Sequence, residues 1–335
     1  MDILSGDYQN SIKRAADILK SDGIVAVPTE TVYGLAASAF SDAAILKVFE
    51  AKGRPQDNPL IVHISDMDML KGVADDIPDI AFVCAKKFWP GPFTMVLKKS
   101  GAVADSVSPG LETVAVRMPL EKSVRDIIDC AGLPLAAPSA NISGCPSPTT
   151  YTHVLNDLDG KIDAVVLGND CKIGVESTVV SLCTDKPRLL RPGAVTLEQL
   201  KAVLPDIEVD KAILSEPENG KKVASPGMKY KHYAPKTDTF LVEGNSKKYA
   251  EFVNGRENAV AVCFAEDKPF LKVKTLVYGS ANDQSALAKN VFSALRQVDR
   301  FKATAVYIHA PEKTGVGLAV YNRLIRAAAF KVISL

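Results

Sequence analysis

The stretch "GIVAVPTETVYGLAASA", residues 23–39, decides the fold of the first part of this chain. Its first six residues are apolar and bounded by Gly and Pro, a pattern that predicts a buried strand. The residues from Thr29 to Ala39 are first polar and then small, and we interpret them as a loop. In an open α/β sheet, polar groups just beyond the carboxyl end of a strand line the ligand crevice. A hydroxyl-capped surface loop is the commoner explanation of any one such stretch, so the interpretation depends on finding others.

The first 204 residues alternate between strand-like and helix-like segments. "SDAAILKVFEAKGR" (41–54) begins with a capping residue and carries apolar residues at helical spacing, which predicts an amphipathic helix. "FTMVLKK" (93–99) and "ETVAVRMP" (112–119) have the composition of strands. The alternation predicts an α/β domain with a large mixed sheet over residues 1–204.

The composition changes at residues 205–237. This segment contains four prolines and little periodicity, and it is too long for an ordinary loop of a compact domain. Its last part, "KKVASPGMKYKHYAPK" (221–236), combines five Lys with two Tyr and one His. Plain spacers rarely join aromatic residues to an unbroken basic run. We therefore interpret residues 205–237 as an interdomain linker or a functional lid.

The alternation resumes over residues 238–335. "AVAVCFA" (259–265) and "ATAVYIHAP" (303–311) have strand character, and "QSALAKNVFSALRQVDR" (284–300) predicts a helix with one apolar face. Strand–helix units in this order predict a smaller Rossmann-like domain with a parallel sheet. No G-x-G-x-x-G follows a strand, so a dinucleotide site is not favoured.

Composition and charge argue against several classes of protein. The chain is 47% hydrophobic and has a net charge of +1. Electrostatic binding of duplex nucleic acid over a broad surface requires an excess of basic residues, so the charge gives no support for a protein of that class. No apolar run has the length of a membrane span, and the first residues lack the features of a signal peptide, so we expect a cytoplasmic protein. Six cysteines without a C-x-x-C pair and four histidines without H-E-x-x-H identify no metal ligands.

A second informative stretch is "KGRPQDNPLIVHI" (52–64). Lys52 and Arg54 close a helix, and two prolines restrict the turn that follows. A rigid turn of this kind directs both cations at one anion, since Arg offers a planar fork and Lys a point charge. A solvated helix terminus, where cations complement the helix dipole, explains the same residues.

A third stretch, "APSANISGCPSPT" (137–149), also follows a buried-looking strand. It presents Ser139, Asn141, Ser143 and Ser147 among prolines and a glycine. Hydroxyls and exposed backbone N–H groups in such a turn suit phosphate or ribose oxygens. An ordinary surface loop rich in Ser and Pro is the alternative.

Arginines lie at the ends of two further apolar strands. Arg117 ends "TVAVR" and Arg191 ends "RLLR", while Ser177 begins "STVV". A buried Arg is costly unless it meets an anion, and a structural salt bridge would explain one of the two. The four strand ends that carry Thr31, Arg117, Ser139 and Arg191 are better explained by one anionic ligand in a shared cleft.

The pairing of Lys52-x-Arg54 with Ser139-x-Asn141 resembles the K-x-R…S-x-N pattern of the YrdC/Sua5 family. The surrounding segments agree, namely "PTETVYGLAASA", "FWPGPFT", "TVAVRMP", "SANISG", "ESTVV" and "RPGA". The later "SPGMKYKHYAPK" and "GLAVYNRLIRAAA" resemble the interdomain loop and the final helix of the two-domain Sua5 type. The resemblance covers nearly the whole chain.

The resemblance implies a YrdC-like twisted α/β domain with a positive concave face, joined to a Rossmann-like Sua5 domain. It also implies a nucleotidyltransferase, L-threonylcarbamoyladenylate synthase, which makes threonylcarbamoyl-AMP and pyrophosphate from L-threonine, bicarbonate and ATP. Mg²⁺ would accompany ATP, and no organic cofactor is implied. The product would pass to the tRNA threonylcarbamoyl transferase machinery for t6A modification at A37. Direct contact with tRNA is left open.

Site residues follow from the resemblance position by position. Lys52 and Arg54 would be the catalytic cations. The implied ATP ligands are Lys52, Arg54, Asn58, Thr113, Ser139, Asn141, Ser147, Arg191, and Tyr230 or Tyr233. The implied threonine pocket comprises Thr31, His63, Arg117, the backbone at Ala137, and Ser177. Arg117 would pair with the carboxylate of threonine.

Two other functions are compatible with a YrdC-like domain. One is an RNA-binding or ribosome-associated module, which the near-neutral charge and the lack of an aromatic-basic face disfavour. The other is carbamoyl-adenylate chemistry, as in hydrogenase-maturation proteins. Those proteins carry additional acylphosphatase and zinc-finger-like parts, and this chain has no C-x-x-C.

Overall fold

The computed structural model describes residues 1–216 and 233–335. Residues 1–216 form one mixed sheet with helices around it. Its strands are β1 (Asp2–Leu4), β2 (Val25–Val27), β3 (Gly34–Ser38), β4 (Ile61–His63), β5 (Ala74–Asp75), β6 (Phe93–Lys99), β7 (Thr113–Arg117), β8 (Leu135–Ala136), β9 (Ala164–Val166), β10 (Thr178–Ser181), β11 (Arg188–Arg191) and β12 (Glu208–Val209). The helices are α1 (Tyr8–Lys20), α2 (Asp42–Lys52), α3 (Met67–Val73), α4 (Asp79–Phe88), α5 (Lys122–Ala131), α6 (Tyr151–Leu158) and α7 (Leu197–Lys201).

Residues 233–335 form a second, smaller sheet. Its strands are β13 (Asp238–Glu243), β14 (Ala259–Phe264), β15 (Lys274–Gly279), β16 (Ala305–His309) and β17 (Val332–Ser334), and its helices are α8 (Ser246–Asn254), α9 (Gln284–Val298) and α10 (Gly317–Ala327). The strand order is β15-β14-β16-β13-β17, and every pairing is parallel. The predicted Rossmann-like parallel sheet is therefore confirmed.

The first sheet is mixed, as predicted, and its order brings distant segments together. The strands follow the order β1-β9-β2-β3-β8-β4-β7-β6-β10-β11-β12, with β5 beside β6. Strands β4 and β7 are parallel, whereas β8 runs antiparallel to both β3 and β4. Because β8 is antiparallel to β4, the residues that follow β8 lie beside the amino end of β4, where Ala137 N donates to Ile61 O at 2.9 Å. The residues that follow β2 reach the same place, since Ala140 N donates to Tyr33 O at 2.8 Å.

The loop predicted from Thr29 to Ala39 is wrong in its second half. Residues Gly34–Ser38 form β3, which pairs antiparallel with β2 and is buried along its whole length. Because both faces of β3 are buried, its sequence shows no alternation of apolar and polar residues. Its small residues also lack the β-branched character that marks most strands.

The helix α1 was absent from the sequence prediction, although its pattern is helical. Ile12, Ala15, Ala16 and Leu19 are buried at a spacing of three to four residues, and Asp7 caps the first turn by accepting a hydrogen bond from Gln9 N.

Within the described ranges, none of the helices combines the length and the apolar character that a bilayer span requires.

The two sheets share a packed interface. One buried apolar cluster contains α9 and α10 residues of the second sheet together with Val32 and Val175 of the first. At the edge of this cluster Arg296 of α9 pairs with Asp157 of α6, with Nη2 to Oδ2 at 2.7 Å, and donates to Pro146 O at 2.6 Å. The interface is thus both apolar and ionic.

Gly174 marks a close backbone approach at this interface. It has φ of +84°, and a Cβ atom added there would lie 2.4 Å from Lys289 Cα and 2.5 Å from Ala288 O on α9. Its N–H donates to Thr31 O at 3.1 Å. A residue with a side chain would therefore separate the two sheets or displace the loop that holds Thr31.

We expect Gly174→Ala to destabilise the protein more than Gly132→Ala. Gly132 also has a positive φ, of +65°, but its added Cβ would meet nothing within 4 Å. The conformational cost is common to both variants at about 1 kcal/mol, and the clash at Gly174 adds roughly 1–3 kcal/mol. Thermal melting of the two variants measures the difference. Equal losses in melting temperature would contradict a tight backbone contact at Gly174.

Candidate functional site

An open cavity lies where polar residues at several strand ends of the first sheet come together. Of the residues that the structure describes, four with cationic side chains and one with a carboxylate line it, among hydroxyls and backbone groups. They come from separate elements: the end of α2 and its following turn, strands β7 and β11, and the residue pair before β10. The ionic side chains in its wall are Lys52, Arg54, Arg117, Arg191 and Glu176.

Arg117 ends β7 and is almost completely buried. Its Nη2 donates to Glu30 Oε1 at 2.6 Å, its Nη1 to Thr31 Oγ1 at 2.9 Å and its Nε to Gly91 O at 3.2 Å. Both side chains of the Arg117–Glu30 pair are less than 5% exposed. The salt bridge that the sequence left open for one arginine is therefore found at Arg117. It orients the guanidinium and ties the Thr29–Thr31 turn to β7.

His63 lies beside Arg117, on the neighbouring strand β4. It is buried, and its Nδ1 lies 3.2 Å from Ile61 O. Burial and the charge of Arg117 lower the pKa of His63 to about 3. His63 is therefore a neutral imidazole at physiological pH, able to form hydrogen bonds without adding charge.

Ser177 contacts both strand β6 and Arg191. Its hydroxyl lies 2.7 Å from Thr94 Oγ1 on β6. Arg191 donates from Nε to Ser177 O at 3.0 Å and from Nη2 to Ser177 Oγ at 3.1 Å. Burial lowers the pKa of Arg191 to about 10, an effect to which the charge of Arg323 adds. Arg191 is still fully charged at neutral pH.

Lys52, at the end of α2, is 1% exposed. Its ammonium donates to Ser139 O, to Asn141 O at 2.5 Å and to Asn141 Oδ1 at 3.5 Å. A main-chain hydrogen bond joins the same two segments, since Ser143 N donates to Lys52 O at 2.8 Å. Burial, reinforced by the charge of Arg54, holds the pKa of Lys52 well below its usual value. The K-x-R and S-x-N motifs are thus joined directly by the lysine side chain.

Arg54 reaches the cavity from the turn after α2. It is half-buried, and its Nη2 donates to Pro59 O at 3.2 Å and to Asn58 O at 3.4 Å. These contacts hold the guanidinium against the turn that contains both prolines. Gly53, in the left-handed conformation with φ of +57°, ends the helix and directs the chain into that turn.

Most sequence-predicted site residues lie together in this cavity. Its wall contains Thr31, Lys52, Arg54, His63, Arg117, Ala137, Ser139, Asn141, Ser177, Arg191 and Tyr233. Asn58 and Ser147 are buried and are not among the described residues that line the cavity. Thr113 begins β7, about 13 Å of strand away from Arg117, and does not line the cavity. Tyr230 lies outside the described residues. The individual ligand roles stay predictions.

Two carboxylates and one arginine were missed by the sequence analysis. Glu30 pairs with Arg117, and Glu176 pairs with Arg323 of the second sheet through Nε and Oε2 at 2.7 Å. Both glutamates stand at strand ends that otherwise carry hydroxyls, and Arg323 interrupts an apolar helix sequence. Charged residues in such apolar surroundings are the signal that would have identified them.

In the described ranges, no three His, Cys, Asp or Glu side chains are grouped as metal ligands.

Two family models cover most of the chain. The Sua5_yciO_yrdC model, described as "Telomere recombination", matches residues 17–193. The Sua5_C model, described as "Threonylcarbamoyl-AMP synthase, C-terminal domain", matches residues 195–329. One residue separates the two matched ranges.

Individual relatives are similar over the same length. A protein of Pyrococcus abyssi named threonylcarbamoyl-AMP synthase is 42% identical over 331 residues, with 96% of this chain and 95% of the relative covered. A Bacillus subtilis protein of the same name is 44% identical over 328 residues, with 96% and 94% covered. The crystal structure of P. abyssi Sua5 complexed with L-threonine superposes with a TM-score of 0.91, at 38% identity and with 100% and 98% of the two chains covered. The chain therefore belongs to the Sua5/YciO/YrdC family and carries the Sua5 C-terminal domain.

Proposed function

We propose that this protein is an L-threonylcarbamoyladenylate synthase. It converts L-threonine, bicarbonate and ATP into threonylcarbamoyl-AMP and pyrophosphate. The observation that carries the proposal is the convergence of Lys52, Arg54, Arg117 and Arg191 in one cavity, in a chain of this family. A cavity so rich in positive charge suits a reaction between two anionic substrates.

Threonine occupies the part of the cavity around Arg117. The guanidinium has five N–H donors, and the described contacts to Glu30, Thr31 and Gly91 use three of them. The others suit the carboxylate of threonine. The neutral His63 and the hydroxyls of Thr31 and Ser177 provide hydrogen bonds to the substrate hydroxyl and amine.

The phosphates of ATP occupy the part of the cavity near Arg54, Arg191 and the residues 139–144. Arg54 and Arg191 supply the charge, while Ser139 and Ser143 supply hydroxyls. Mg²⁺ enters with ATP as part of the substrate and shares the charge of the triphosphate. Tyr233, in the same wall, packs on Phe292 of α9 with ring centroids 5.0 Å apart.

The chemistry requires little acid–base catalysis by the protein. The amine of threonine combines with CO2 and loses a proton, or combines with bicarbonate and releases water, to give an N-carboxylate. One of its oxygens attacks the α-phosphorus, and the bond from that phosphorus to the bridging oxygen breaks as pyrophosphate leaves. The cationic side chains reduce the repulsion between the two anions and stabilise the charge of the transition state. Threonylcarbamoyl-AMP then supplies the t6A modification of tRNA.

The direct test is pyrophosphate release with each substrate omitted in turn. Full release should require ATP, threonine and bicarbonate together, and mass spectrometry should identify threonylcarbamoyl-AMP as the product. Release that is undiminished in bicarbonate-free buffer would refute the proposed reaction.

We expect Arg54→Ala and Lys52→Met to differ in their effects on stability. Arg54 is half-buried at the cavity, so its loss should reduce synthesis about tenfold or more with little change in melting temperature. Lys52 is buried and holds the loop at residues 139–143, so its loss should reduce both synthesis and the melting temperature, the latter by roughly 3 °C or more. Activity and melting are measured on the same preparations. A Lys52→Met variant as stable as the unaltered protein would contradict the bracing role of Lys52.

We expect threonine to be preferred over serine, and both over alanine. Serine lacks only a methyl group, which a fitted pocket distinguishes by roughly 1–3 kcal/mol. Alanine lacks the hydroxyl as well and therefore forfeits the hydrogen bonds that Thr31, His63 and Ser177 offer to that group, so it should be rejected more strongly. The measurement is adduct formation with each amino acid at saturating ATP and bicarbonate. Equal use of alanine and threonine would exclude a pocket that recognises the hydroxyl.

A further inference from the structure

Arg323 brings a charge from the second sheet to the wall of the cavity. It lies on α10 and is 0% exposed, the largest of the completely buried side chains among the described residues. Its Nε donates to Glu176 Oε2 at 2.7 Å, its Nη2 to Glu176 O at 3.4 Å and its Nη1 to Asn322 Oδ1 at 2.7 Å. The guanidinium is therefore directed at Glu176 by both its carboxylate and its backbone.

Glu176 is the one carboxylate among the described residues that line the cavity. Its second oxygen, Oε1, accepts a hydrogen bond from Ser147 Oγ at 2.5 Å. The next residue, Ser177, accepts two hydrogen bonds from Arg191. Glu176 is consequently placed between an arginine of the second sheet and an arginine of the cavity.

We propose that Arg323 is a positioning residue for the ATP site, which compensates the charge of Glu176 and so keeps that carboxylate from competing with the triphosphate for Arg191. This inference rests on the proposed function, since that function assigns ATP to the cavity. With this role, helix α10 contributes to the reaction, although Arg323 itself is not among the residues of the cavity wall.

The electrostatics of the three groups support this role. Burial raises the pKa of Glu176, but the charges of Arg323 and then Arg191 outweigh it and hold that pKa below its ordinary value. Glu176 is therefore a buried anion that two arginines share. If Arg323 is removed, the carboxylate keeps only Arg191 as a strong partner among these three groups. It then competes with the phosphates of ATP for that arginine, because a buried charge without compensation is costly.

The same interface offers a matched control. Arg296 of α9 and Asp157 of α6 form a second, part-buried ion pair between the two sheets, with side chains 12% and 11% exposed. Neither residue lines the cavity. Asp157→Asn weakens the interface without changing the charge of the cavity wall, so it separates a general loss of packing from a specific effect of Arg323.

The experiment compares Arg323→Gln, Arg323→Lys, Asp157→Asn and the double variant Glu176→Gln/Arg323→Gln in the full chain. Arg323→Gln should raise the KM for ATP about tenfold or more, with kcat changed by less than about threefold, since the loss concerns ground-state binding of the triphosphate. Asp157→Asn should leave the KM for ATP within about twofold, even where it lowers the melting temperature. The double variant should recover much of the lost affinity, because glutamine keeps the hydrogen bond from Ser147 and removes the uncompensated charge.

The proposal is overturned by an unchanged KM in folded Arg323→Gln, by an equal rise in Asp157→Asn, or by a double variant no better than the single one. Should Arg323→Gln fail to fold, Arg323→Lys and the double variant decide, since both avoid an unpaired carboxylate and should bind ATP within about fivefold of the unaltered protein. Calorimetric titration with MgATP alone separates this inference from the proposed function. Unaltered protein that binds MgATP but releases no pyrophosphate refutes the function, whereas Arg323→Gln that binds MgATP normally refutes the role of Arg323.

Discussion

Cationic side chains lie close together in one partly enclosed cavity, and the rest of the structure depends on how their charge is compensated. Arg117 is paired with Glu30 inside the first sheet, while Glu176 is shared by Arg191 and by Arg323 of the second sheet. Desolvated cations are costly unless anions and hydrogen-bond acceptors accompany them. Glu30 orients Arg117, and among the described residues that line the cavity the cationic side chains still outnumber the carboxylates, as an anionic ligand requires.

Lys52 is compensated in a different way, by carbonyl oxygens. Its ammonium is surrounded by acceptors from the loop after β8, and the backbone of that loop returns a hydrogen bond to Lys52 O. This arrangement makes the lysine a brace between two motifs that are nearly 90 residues apart in the chain. A site whose supporting residues are held in this way keeps its geometry before the substrates arrive.

The second sheet contributes to the site through packing as well as charge. Tyr233 belongs to the same buried cluster as α9, α10, Val32 and Val175, and it also lines the cavity. Gly174 permits α9 to approach the loop that carries Thr31. The interface and the cavity wall therefore share residues, so a disturbance of one reaches the other through a few contacts.

The sequence by itself determined the alternation of strands and helices and the mixed and parallel sheets, because these follow from local periodicity. It also predicted that Thr31, Arg117, Ser139 and Arg191 converge, because polar residues mark these strand ends. It did not reveal β3, whose small residues are buried on both faces, and it left open which arginine forms a structural salt bridge. Tertiary structure alone decided that Lys52 is a buried brace, that Arg117 pairs with Glu30 and that Arg323 reaches Glu176. The physical reason is that a charged side chain in a sequence shows only that it needs a partner, whereas the partner is chosen by contacts between residues as far apart as 176 and 323.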